Sequence, residues 1–241
     1  ISKSASDGFD RLRKLAGPDR DKYRGIPTGY RFLDAKLGKM GKSDLIVLAA
    51  RPGMGKTSFA LNIAQNVATN KTAVAVFSLE MSKEQLVNRM FSLESRVDAQ
   101  KLRSGNLTDA DWEMLIEGAG NVGRSKLIID DTPGISISEL RSKCRKYKLE
   151  HDLKLIIIDY LQLMNSAKRI DNRVQEISEI TRSLKIMAKE LNIPVVTLAQ
   201  LARAGEKRQE HRPVLSDLRD SGSIEQDADI VLFLYLSLIH I

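Results

Sequence analysis

The stretch LIVLAARPGMGKTS, residues 45–58, runs an apolar strand into a glycine-bearing turn and then into a helix opening at Lys56-Thr57. That succession constrains the chain more than any other feature. It nearly matches the phosphate-loop pattern G-x-x-x-x-G-K-[ST], with Ala50 in place of the first glycine. In a strand–turn–helix setting, backbone N–H groups of the turn and of the first helical residues cradle phosphate, and the helix dipole adds to the attraction. Gly53 and Gly55 give the backbone freedom where it wraps the anion. Ala50 falls at the strand end, where a methyl group is tolerated if the backbone stays in an allowed region. The loop residues Arg51, Pro52, Gly53, Met54, Gly55, Lys56, Thr57 and Ser58 are therefore expected to bind nucleotide. Lys56 is expected to reach the β- and γ-phosphates, and the Thr57 hydroxyl to hold Mg²⁺.

The rest of the chain repeats the strand–helix alternation. Apolar runs of β type occur at 45–50, 73–79, 126–130, 154–159, 193–200 and 229–235, and helical patterns at 57–68, 136–151 and 173–192. Near-continuous apolar strands imply burial on both faces, hence an α/β fold with a mostly parallel sheet flanked by helices. A further helix begins near residue 107 with Thr108 as its N-cap. Residues 1–24 are polar apart from Phe9, Leu12 and Leu15, whose spacing of three marks one helical face. That helix reads either as a frayed terminus or as a short stripe that docks on another subunit. No repeat or low-complexity tract divides residues 25–235, which read as one domain, with 1–24 as a linker segment.

Composition narrows the function classes. Hydrophobic residues make up 42% of the 241, enough for a packed core, while the single Cys144 excludes an internal disulfide and a Cys-rich zinc site. That usage fits a reducing, cytoplasmic setting. The three histidines, His151, His211 and His240, are too scattered for a metal centre. The longest apolar run, 230–239, is about half of what a membrane helix needs, so no membrane partner is expected. A net charge of +7 favours a polyanionic partner. With only 5% aromatic residues, stacking of bases is not the expected mode of contact.

Hydrolysis needs acids as well as a cradle. Asp159 ends the run LIIIDYLQL; an acid there serves either as a helix cap or, beside a phosphate loop, as the carboxylate that holds Mg²⁺ through water. Glu80, just past the run ending in SLEMS, either caps the following helix or orients and deprotonates the attacking water. Parallel strands put both acids on the edge that carries the phosphate loop. Gln200 closes VVTLAQ on the same edge, where its amide is placed to sense a γ-phosphate. Cys144 lies within a helical pattern and reads as a small buried residue.

Taken in order, GIPTGYRFLD, AARPGMGKTSFALNIA, SLEMSKEQLVNRM, DDTPGISISELRSK, LIIIDYLQLM and DLRDSGSIEQDADIVLFLY resemble the ATPase domain of the DnaB-type replicative helicases, a family with a RecA-like P-loop NTPase fold. The resemblance implies that Glu80 is the catalytic base, Asp159 the magnesium acid and Gln200 the γ-phosphate sensor. It adds Arg89 as a further phosphate contact. DLRDSGS resembles the loop that tracks single-stranded DNA, with Arg219, Asp220 and Gly222 as DNA-binding residues; Asp220 stands where the family commonly has glutamate. Residues 165–173 occupy the place of the second channel loop, where Lys168 and Arg169 are either phosphate neighbours or ordinary exposed charges.

By the same resemblance the chain is expected to be an ATP- and Mg²⁺-dependent motor of a homo-hexamer, moving 5′ to 3′ on single-stranded DNA. Primase and a helicase loader are its further implied partners. An ATP-switched recombination protein that coats DNA without unwinding it is the alternative, and a RecA-like ATPase indifferent to DNA a third reading. The sequence also reads as a piece of something longer. It opens on Ile1, without the family's N-terminal domain, and its agreement with the family ends near Tyr235. The tail 236–241 departs from the pattern, and the family's arginine finger is expected beyond it.

Overall fold

The apolar runs become strands because each finds cover on both faces. The computed structural model describes residues 2–17, 25–165, 172–201, 212–221 and 224–237. In chain order its elements are α1 (Ser2–Ala16), α2 (Arg31–Leu37), β1 (Leu45–Ala50), α3 (Lys56–Thr69), β2 (Ala73–Ser78), α4 (Lys83–Ser95), α5 (Ala99–Ser104), α6 (Asp109–Arg124), β3 (Leu127–Asp130), α7 (Ile137–His151), β4 (Leu153–Asp159), α8 (Arg173–Leu191), β5 (Val195–Gln200), α9 (Ile224–Asp227) and β6 (Ile230–Leu234). Short 3-10 turns occupy Leu161–Leu163 and Leu215–Ser221.

The strands form one six-stranded sheet in the order β3-β2-β4-β5-β1-β6, and every pairing is parallel. Side chains alternate between its faces with period two. Leu45, Val47, Ala49, Ile156, Ile158 and Val195 pack on one side against Leu140 and Cys144 of α7 and Ile177, Ile180, Leu184 and Met187 of α8. Ile46, Leu48, Val74, Val76, Leu155 and Ile157 pack on the other against Leu61, Ile63, Ala64 and Val67 of α3. The double cover fits the inner strands fully, whereas β3 and β6, at the two margins of the sheet, are half-buried. Cys144 sits in the first of these layers, and burial, reinforced by Asp130, pushes its thiol up to about 12, which keeps it an inert packing group. Phe9 and Leu12 of α1 are exposed.

Parallel pairing sends the carboxyl ends of β1, β2, β4 and β5 to one edge. Between β1 and β2 the chain crosses over two other strands, β5 and β4. Open α/β sheets bind ligands at such a reversal of strand order.

Thr108 caps α6 as expected. Its hydroxyl accepts from the Asp111 N–H, and the Asp111 carboxylate accepts in return from the Thr108 N–H and hydroxyl and from the Lys101 ammonium at 2.9 Å. The Thr108 N–H above all, then Lys101, holds the Asp111 carboxyl at about 2. Because this folded value lies below the ordinary one near ~3.9, the stabilisation is complete above about pH 4 and is lost as pH falls toward 2. Asp111→Asn is therefore expected to flatten the fall in thermal midpoint across that window. An unchanged acid limb in a melting series would show that the box contributes nothing to the linkage.

Candidate nucleotide site

The turn after β1 is shaped by two left-handed glycines. Gly53 and Gly55 have φ of 76° and 79°, and a Cβ on either would meet no atom within 4 Å. Backbone conformation, not lack of room, is what makes glycine necessary here. Gly55 is also the N-cap of α3, so the helix opens directly at the turn with its first N–H groups free of any side-chain cap. Those are the groups that a helix start offers to an anion. Ala50 lies within β1, paired in register with Gln200 on one side and Leu234 on the other. Its methyl group is buried in the sheet and the strand runs undisturbed into the turn, so the missing first glycine costs the loop nothing visible.

A cavity of about 320 Å³ opens over this turn, walled by the loop residues from Ala50 to Ser58 other than Met54, together with Glu80, Arg89 and Gln200. Of the eight loop residues expected to bind nucleotide, Met54 alone does not line it. Glu80 stands at a turn fixed from two sides. The Ser78 hydroxyl donates to the Met81 carbonyl at 2.7 Å, and the Leu79 N–H donates to the Asp159 carbonyl, also at 2.7 Å. The following helix α4, which brings Arg89 back to the cavity, opens on a capping box between Ser82 and Gln85. Asp131, from the loop after β3, anchors that helix by accepting from the Lys83 N–H at 2.8 Å.

Beneath the cavity, the Thr57 hydroxyl donates to Asp159 Oδ2 at 2.6 Å. Asp159 is almost fully buried, and its Oδ1 has no hydrogen-bond partner. Lys56 Nζ lies 3.9 Å from that oxygen, near enough for attraction but too far for a hydrogen bond. The same ammonium sits 4.2 Å from the centre of the Tyr160 ring, a cation–π contact that sequence reasoning missed. A signal did exist: Tyr160 directly follows the strand-end acid. Burial lowers the Lys56 pKa, and the Asp159 and Glu80 carboxylates pull it partway back. Burial raises the Tyr160 pKa, helped by the same two acids.

These residues fit a magnesium–nucleotide complex. An unpartnered buried carboxylate oxygen next to a threonine hydroxyl is a hard oxygen donor set of the kind Mg²⁺ takes. A buried guanidinium nitrogen of Arg51 likewise lacks a partner, and that residue lines the cavity together with the glycine turn. Buried polar atoms rarely stay unmatched unless something else meets them.

The residues expected to contact DNA are described less fully. Arg219 and Asp220 lie in the 3-10 turn Leu215–Ser221, where only their backbone is described. Gly222, Lys168 and Arg169 fall outside the described residues, as do His211 and His240. No cluster of acidic, histidine or cysteine side chains able to hold a metal by themselves occurs among the described residues, and none of the described helices is long and apolar enough to cross a membrane.

Comparison with known proteins agrees with this geometry. The family model of the DnaB-like helicase C terminal domain matches residues 25–239. The replicative DNA helicase DnaC of Bacillus subtilis is 54% identical over 229 residues, covering 94% of this chain and 50% of that protein. The replicative DNA helicase DnaB of Geobacillus stearothermophilus is 53% identical over the same shares. The chain thus spans about half the length of the curated relatives it matches. Among solved structures, one described as an ATPase domain superposes with a TM-score of 0.91 at 38% identity, over 98% of this chain and 83% of that one. A DnaB-like replicative helicase, solved in work on its interactions with primase, gives 0.86 at 40% identity over 88% of this chain and 53% of its own. A RecA-like parallel sheet, a glycine turn between β1 and α3, and a family match across nearly the whole chain converge on one assignment: the chain belongs to the DnaB-like helicase C-terminal domain family.

Proposed function

We propose that this chain is the motor domain of a replicative DNA helicase, hydrolysing ATP to move along single-stranded DNA and separate duplex. The observation that carries the reading is the convergence of Lys56, Thr57 and Asp159 under a glycine cradle, with Glu80, Arg89 and Gln200 around the cavity above them. In this reading the turn N–H groups, Lys56, Arg51 and Arg89 hold the phosphates. Thr57 and Asp159 hold Mg²⁺, which when bound screens the phosphate charges and polarises the γ-phosphoryl group. Glu80 accepts the proton of the attacking water, and Gln200 holds its amide toward the γ-phosphate. The linker 1–24, the hexameric ring, 5′-to-3′ movement, and contacts with primase and a loader belong to the same proposal and rest on the family relationship. The recombination-type alternative is less favoured, since the relatives found are replicative helicases.

Arg219, with Asp220, Gly222, Lys168 and Arg169, is assigned to the DNA channel. Contacts of that kind read backbone charge and not base identity. Arg219→Ala in the full-length protein is expected to weaken single-stranded DNA binding about equally across sequences while sparing nucleotide affinity. Loss of one phosphate contact should reduce the slope of log affinity against log salt by about 0.7. A salt titration of both proteins tests this, run beside unwinding of a forked duplex by the unsubstituted protein. An unchanged slope removes Arg219 from the channel, and ATP turnover indifferent to DNA, with no strand separation, overturns the helicase reading.

A further inference from the structure

The last cross-strand pair between β4 and β5 is Ile158 with Thr197. Beyond it β4 ends at Asp159, while β5 continues for three more residues to Gln200. On its other side β5 stays paired with β1 as far as Ala50 opposite Gln200, and the Leu201 N–H donates to the Ala50 carbonyl at 3.0 Å. The β4 side of Gln200 would lack a partner were it not for a side chain. Gln162, in the 3-10 turn that follows β4, donates from Nε2 to the Gln200 carbonyl at 3.1 Å and accepts from the Gln200 N–H on Oε1 at 3.3 Å. A hydrogen-bonded residue pair makes the same two-way exchange in an antiparallel ladder; here a side chain makes it at the end of a parallel one and occupies both backbone groups of Gln200 on that side. A primary amide carries the same donor and acceptor as a peptide group, so the side chain replaces the missing strand. Arg173, at the start of α8, fixes the turn by donating to the Gln162 carbonyl and pairing with Glu176.

We propose that Gln162 is a positioning residue for hydrolysis: its amide prolongs the β4–β5 ladder and thereby holds Gln200 at the phosphate cavity. The inference rests on the role given to Gln200 above. Gln200 is exposed at the end of an otherwise buried strand and lines the same cavity as Lys56 and Glu80. The end of a strand held on one side only frays more readily than one held on both. A displacement of about 1 Å at a reacting centre costs up to about 100-fold in rate. Only glutamine supplies both halves of the exchange at this length. Glutamate keeps the acceptor and loses the donor, and methionine keeps the shape and loses both.

The test measures kcat and KM for ATP in the full-length protein with single-stranded DNA present. The set comprises Gln162→Met, Gln162→Glu, Gln200→Ala and the Gln162→Met/Gln200→Ala double variant. Gln162→Met is expected to lower kcat by about 10- to 100-fold with KM within about twofold, and Gln162→Glu to fall between it and the unsubstituted protein. The double variant should be no slower than Gln200→Ala alone, because the effect of Gln162 passes through Gln200. An unchanged kcat in Gln162→Met, a change confined to KM, or an equal loss in both backgrounds each overturns the proposal. Should Gln162→Met fail to fold, Gln162→Glu decides: an intermediate kcat supports the positioning role and an unchanged one overturns it. Full activity in Gln200→Ala would instead remove Gln200 from hydrolysis, and the proposal would fall with that reading.

Discussion

Glu80→Gln is expected to bind ATP within about twofold of the unsubstituted protein and to hydrolyse it about 10²- to 10⁴-fold more slowly, the usual loss when a general base is removed. The geometry separates the two effects. Glu80 stands in the cavity wall at a turn clamped by Ser78 and by the Asp159 carbonyl, whereas the cradle proposed for the phosphates is built from the loop after β1. Glutamine keeps the size and hydrogen-bonding reach of the side chain but has no useful basicity. The substitution therefore leaves packing and cradle intact and removes the proposed proton acceptor alone. Single-turnover hydrolysis beside equilibrium nucleotide binding resolves the two quantities. A variant that turns over at the normal rate would take the base role away from Glu80 and require another acceptor at the same edge.

Much of this site was legible in the sequence because its chemistry is local. The glycine turn, Lys56 and Thr57 occupy consecutive positions, and apolar runs announce the strands that deliver Asp159, Glu80 and Gln200 to one edge. All six strands lie within a residue or two of those runs, and α3, α7 and α8 lie where the periodicity puts them. What stayed illegible depends on contacts between distant segments. The strand order places β4 between β2 and β5, and nothing in any single run specifies that neighbour. The Asp131 anchor on α4, the Tyr160 ring beside Lys56 and the Gln162 amide on Gln200 are all long-range. Each looks like an ordinary polar or aromatic residue until the sheet brings its partner within reach. The short helices α2 and α5 were also missed. Each is too short to show a periodic apolar face, and neither buries a residue fully.

Lys56→Met is expected to abolish measurable ATP binding and yet leave the nucleotide-free protein as stable as before, or more so. The two halves follow from the same burial. Lys56 is largely withdrawn from water, and that desolvation outweighs the attraction of Asp159 and Glu80, so its pKa falls below the ordinary lysine value. A depressed lysine pKa means that the folded state holds the charge less favourably than the unfolded chain does. Wherever the ammonium is charged in both states it costs stability; as pH rises through the lowered folded value toward the ordinary one, that cost is relieved. The interaction with Asp159 is already contained in this balance, so removing the charge is net favourable even though Asp159 loses a neighbour. Methionine matches the length of the stem and leaves no cavity. Bound phosphates, by contrast, would lose the ammonium proposed to meet them at the start of α3. In a thermal-shift series, ATP with Mg²⁺ should raise the melting midpoint of the unsubstituted protein, by the equivalent of about 2.7 kcal/mol at a hundredfold excess over the dissociation constant. The variant should begin at the same midpoint or a higher one and show no shift. A ligand-induced shift of normal size in Lys56→Met would mean that the cradle holds nucleotide without its lysine. A lower starting midpoint would mean that attraction to Asp159, not desolvation, governs this ammonium.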